Sequence, residues 1–76
     1  MTKNKIILAH ANGVLDNLRR AEIEKRIALK YTPMQEFRLY ADKESNLDAW
    51  NEHEKFVSEI KSTVDKEISE VIGDEA

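Results

Sequence analysis

Tyr31-Thr32-Pro33-Met34-Gln35 decides the fold, because these five residues stop one helix and start another. Proline drives the residues before it out of the helical region, so a helix arriving from upstream ends near Lys30. Thr32 is placed to act as an N-cap, Pro33 needs no donor at the first helical position, and Gln35 completes a capping box. The stretch therefore predicts helix, corner, helix.

Downstream, Ser45-Asn46 marks a second boundary, since either residue can cap a helix whose first turn holds Asp48. The helix that follows runs over 46–72, with Gly73 as its stop. Trp50, His53, Val57, Ile60, Val64, Ile68 and Val71 recur at spacings of three and four and form one apolar stripe, widened by Phe56. Glu52, Lys55, Glu59, Ser62, Lys66 and Glu70 form the opposite, solvated face. The short helix spans 33–43 and carries Met34, Phe37 and Ala41 on one side, with Tyr40 at its edge.

Upstream, the helix over 14–30 has two apolar stripes. Val14, Leu15, Leu18, Ala21, Ala28 and Leu29 make the first, and Ile23, Ile27 and Tyr31 make the second on nearly the opposite side. A helix striped on both sides touches two neighbours. The expected fold is all-α: an antiparallel hairpin or bundle of two long helices joined by a short one, with coiled-coil character and an oligomeric state. Ile23, Ile27, Tyr31 and Trp50 are the expected protein interface.

Length supports the same expectation. At 1.5 Å per residue the helix over 46–72 is about 40 Å long and that over 14–30 about 26 Å, leaving Ile68, Val71 and Ile72 uncovered. Either residues 4–12 are helical and extend the first stripe through Ile7, Leu8 and Ala11, or a partner chain covers the end. Asn12-Gly13 opposes a continuous helix, so the N-terminal arm is expected to kink or break there. A strand at 6–9 is the minority alternative. The chain divides into an arm (1–13), a helical domain (14–72) and a frayed acidic tail (73–76).

Composition agrees. The chain has 76 residues, no cysteine, two glycines and one proline, and 36% of it is charged. Such a small core normally needs a staple; without disulfides, oligomerisation remains. Residues 1–38 carry eight basic and four acidic side chains, net +4, whereas residues 39–76 carry four basic and eleven acidic ones, net −7. The halves attract each other, within one chain or between two. The longest apolar run, Ile6-Ile7-Leu8-Ala9, is far short of the ~20 residues of a membrane span. It is also too short for a signal peptide despite Lys3 and Lys5 before it. A cytoplasmic protein with no membrane partner is expected.

No catalytic constellation stands out. His53 lies between Glu52 and Glu54, but an HExxH zinc motif needs histidine at position 57, where Val57 stands. His53 reads instead as a packed imidazole on the stripe. The carboxylates lie along a solvated face, without the enclosure that shifts a catalytic pKa. Neither an enzyme nor a cofactor nor a metal is expected. Arg19, Arg26 and Lys30 line one side of the first helix and could track phosphates, which makes a nucleic-acid-binding regulator the alternative. Glu22 offers Arg26 a partner four residues away, and an acidic surface such as Glu52, Glu59 and Glu70 is the competing destination for the strip. Tyr31, Phe37, Tyr40, Trp50 and Phe56 gather near the corner, where they are read chiefly as its plug.

Three stretches carry a resemblance: Arg20-Ala21-Glu22-Ile23, then Lys30-Tyr31-Thr32-Pro33 with Gln35-Glu36, and Asn51-Glu52-His53-Glu54-Lys55-Phe56-Val57. From Arg19 to Ile68 the chain resembles short helical modules in accessory and tail-associated proteins of tailed bacteriophages. The resemblance implies a phage-derived, non-enzymatic protein that acts by binding, in assembly or against a host component. It assigns no functional residue.

Overall fold

The computed structural model describes residues 1–73. It contains four helices, α1 (Lys3–Ala11), α2 (Leu15–Ala28), α3 (Pro33–Ala41) and α4 (Leu47–Ile72), and no strand among the described residues. The acidic tail expected at 73–76 lies outside the described residues from position 74 onward. Gly73 caps α4 in the right-handed region, φ −57, without the left-handed turn that a glycine stop usually makes.

The corner forms as its residues dictate. Thr32 Oγ1 accepts from the Gln35 amide at 3.2 Å, while Gln35 Oε1 accepts from the Thr32 amide at 2.8 Å. At the next boundary the cap is Asn46, which accepts from the Ala49 amide. Along α4 every residue of the expected stripe is buried or half-buried, and every residue of the opposite face is exposed. α2 and α4 run antiparallel, since Tyr31 beyond the end of α2 meets His53 and Phe56, whereas Arg19 near its start meets Asp65.

The N-terminal arm departs from expectation. It is helical and breaks at Asn12-Gly13, but it does not lengthen α2; it folds back. Gly13 takes φ +72, its amide donates to His10 O at 3.2 Å, and the Val14 amide donates to Ala9 O at 2.9 Å. This is a Schellman motif, which closes a helix and redirects the chain. α1 consequently lies against both α2 and α4 as a third packed helix. Its buried residues are Ile6 and Ala9, whereas Leu8 and Ala11, expected to extend the first stripe, are exposed. The direction of the turn, not the pattern of the arm, selects the buried side.

Reversal of α1 also changes what covers the second stripe of α2. Ile23 is buried in the chain's own core with Ile6, Val64 and Ile68, and Ile27 packs beside it. Ile23, expected at a subunit contact, thus finds its cover within one chain, and Ile27 is half-covered there. Leu15 and Leu18 of the first stripe reach the same core, while Val14, Ala21, Ala28 and Leu29 stay exposed. α2 touches two neighbours as anticipated, but both are its own: α1 and α4. No helix among the described residues is long and apolar enough to cross a membrane.

Ile6 and Val64 are the fully buried side chains at the centre of this three-helix contact. Each contributes about 1.5–3 kcal/mol by leaving water. Truncating Ile6 to alanine should cost about 2–5 kcal/mol, read as a drop in the urea midpoint of unfolding. A loss below about 1 kcal/mol would show that α1 does not seat in the groove.

Candidate functional site

His53 anchors the corner. It projects from α4, is buried, and its Nε2 lies 2.9 Å from Glu36 Oε2 on α3. With the Glu36 carboxylate as acceptor, Nε2 carries the hydrogen, which in the neutral ring leaves Nδ1 bare. Nδ1 is buried without a hydrogen-bond partner among the described residues and sits 3.9 Å from Glu54 Oε1. Tyr31 stands edge-on to the imidazole at 5.0 Å between centroids, and Trp50 lies tilted against it at 5.3 Å. Of the expected interface residues, Tyr31 and Trp50 are thus brought together, around a histidine, while Ile23 and Ile27 are not part of the corner.

The aromatic plug is only partly formed. Tyr31 pairs with Phe56 at 5.6 Å and Tyr40 with Trp50 at 5.8 Å, both edge-to-face. Lys30 lies over the Phe56 ring at 4.5 Å and Lys43 over the Tyr40 ring at 4.9 Å, roofing the two pairs with cations. Phe37, expected in the plug, points away and is exposed.

The reason is that α3 packs the wrong way round for an amphipathic helix. Its half-buried residues are Glu36 and Leu39, continued by Lys43 past its end, and no residue of α3 is fully buried. Met34, Phe37 and Ala41, the apolar side, face solvent, with Tyr40 exposed at the margin. One carboxylate bonded to a buried histidine therefore holds the inward side, and the greasy side is left free. The sequence pattern picks out the apolar side of α3 but not Glu36; the signal for the inward side is Leu39, an aliphatic residue alone among the polar ones.

The basic strip meets acids of α4. Arg19 forms a two-pronged ion pair with Asp65, its Nη2 3.2 Å from Oδ2. Arg26 reaches Glu67 at 2.6 and 2.9 Å and Glu22 at 3.0 Å. The Met1 amino group joins the same cluster, 3.6 Å from Glu67 and 4.0 Å from Glu22, so two cations face two anions. Lys30 is engaged with aromatic rings. The acids at Glu52, Glu59 and Glu70, expected as the destination of the strip, are exposed on the far side of α4; Asp65 and Glu67, at the edge of the apolar stripe, take that role. The hydrogen bonds from Arg26 hold the Glu67 carboxyl below its usual range, and those from Arg19 do the same for Asp65.

Among the described residues no three histidine, aspartate or glutamate side chains converge on a position fit for a metal ion. No protein-family model, curated protein or solved structure matches the chain.

The ion pairs set a direction for acid stability. Depressed carboxyl groups stabilise the fold above their unfolded values, near 4.5 for Glu67 and 3.8 for Asp65, and that stabilisation fades as pH falls through the lower folded values. The thermal midpoint should therefore drop progressively below about pH 4.5. Glu67→Gln should lower it at pH 7 and flatten the acid limb. An acid limb identical in wild type and variant would remove Glu67 from the account.

Proposed function

We propose that this chain is a non-enzymatic protein–protein interaction module that docks through the outward side of α3. The observation that carries this reading is the exposure of Met34, Phe37 and Tyr40 on a helix whose polar side is turned inward. A small domain that needed only stability would bury that side and leave Glu36 in water. The composition of the face agrees: methionine, phenylalanine, tyrosine and Arg38 are the residue types enriched at protein interfaces, and Lys43, over the Tyr40 ring, marks its border toward α4. Trp50, half-buried beneath Tyr40, extends the face onto α4.

The resemblance of residues 19–68 to accessory and tail-associated phage proteins implies the same kind of role, binding in assembly or against a host component, and with it we propose a cytoplasmic setting. Nucleic-acid binding through Arg19, Arg26 and Lys30 has less support. Arg19 and Arg26 would first have to release Asp65, Glu22 and Glu67.

A photo-activatable residue at position 37 tests the proposal in cells that produce the chain, with position 66 on the exposed face of α4 as control. Position 37 should give discrete protein adducts, position 66 none, and Met34→Ser should weaken the adducts. Equal labelling from both positions would contradict docking through α3.

A further inference from the structure

We infer that the surface seated on α3 is α3 of a second copy of this chain, the two related by a two-fold axis. The inference rests on the docking reading above and names its occupant. A two-fold interface must be self-complementary, the same patch serving both sides. Met34, Phe37 and Ala41 fit that requirement. With the helices antiparallel and the axis beside Phe37, bulky Met34 of one copy falls opposite small Ala41 of the other, and the two Phe37 rings meet at the centre. α3 has nine residues, about 13 Å of helix, so both Met34–Ala41 pairings fall within its length.

The area reaches the low end for a specific contact. Met34 is 65% exposed, Phe37 70%, Tyr40 60% and Leu47 58%. Leu47 joins the patch through Trp50, three residues on along α4 and edge-to-face with Tyr40, with Lys43 over both rings. Together these four leave roughly 500 Å² uncovered per copy, since each large side chain offers about 150–250 Å² in full. Covered completely on both copies, they bury roughly 1,000 Å², the low end for a specific interface, before flanking residues are counted. The polar edge of the face carries Arg38 and Lys43 with Asp42 and Glu44, two cations and two anions, so two copies meet without an excess of either sign.

Neither a disulfide nor, among the described residues, a metal cluster staples the core. Its buried hydrophobic residues are Ile6, Ala9, Ile23, Val64 and Ile68, with no cysteine anywhere and no metal-ligating cluster among the described residues. A second copy supplies what a core of that size lacks.

Absence of native cysteine makes the register directly testable with the purified full chain. Under mild oxidation Phe37→Cys should cross-link to itself, and Met34→Cys mixed with Ala41→Cys should give the mixed dimer in preference to either self-dimer. Leu8→Cys, exposed on α1, should not cross-link. In sedimentation the wild type should be dimeric at high micromolar concentration, and Phe37→Asp monomeric with unchanged helical content. A wild-type monomer, a dimer that survives Phe37→Asp, or cross-linking at Leu8→Cys instead of position 37 would each overturn the inference. A monomer whose position 37 still labels another protein in cells overturns the second copy alone; a monomer with no such adduct takes the docking reading with it.

Discussion

Ile6 sits where three helices meet, against Ile23 of α2 and Val64 and Ile68 of α4, and the rest of the molecule depends on that seat. α4 has 26 residues and α2 only 14, so a bare hairpin would leave the last turns of α4 wet. Folding α1 back into the groove resolves the mismatch without a partner. The Schellman turn at Gly13 makes the reversal affordable in backbone terms, since only a residue that tolerates positive φ fits there. Once α1 is seated, the Met1 amino group falls between Glu22 and Glu67, and Arg26 completes the cluster. Apolar burial sets the position; the ion pairs sharpen the register.

The other end of α4 works by a different rule. There α3 is held by a hydrogen bond from a buried imidazole to Glu36, with Leu39 and the aromatic pairs beside it. The imidazole is buried and the carboxylate only half-buried, so the contact contributes modestly to stability, but losing it leaves a buried ring nitrogen without a partner, which favours Glu36 on the inward side of α3. Having chosen Glu36, the fold is left with Met34 and Phe37 in water. The apolar surface on offer is thus a consequence of the His53–Glu36 contact. One end of the rod closes the core, and the other presents a face.

What could be read from the residues alone follows the range of the forces involved. The capping box at Thr32 and Gln35 and the stripe along α4 were legible because capping and helical periodicity are local. The break at Asn12-Gly13 was legible as well, but not its outcome, because the same dipeptide serves a kink or a reversal and the groove that receives α1 is built from residues far along the chain. The two stripes of α2 were visible, yet the periodicity of one helix cannot say whether the second neighbour is another chain or the chain's own N-terminal helix. In the same way α3 displayed an apolar and a polar side, and nothing within its nine residues announces that a histidine 17 positions after Glu36 will claim the polar one. The charge division anticipated that Arg19 and Arg26 would find acids; only the docking of α2 on α4 picks Asp65 and Glu67 over their neighbours.

Native-state amide hydrogen exchange of the isolated chain tests the seat of Ile6 most directly, because it reads the opening of each helix separately. If α1 is an integral part of the core, amides from Ile6 to Ala9 should be protected as strongly as those around Val64 and Ile68 and should open with them in one cooperative step. Exchange of α1 orders of magnitude faster than that of α4, with α4 still protected, would contradict the account.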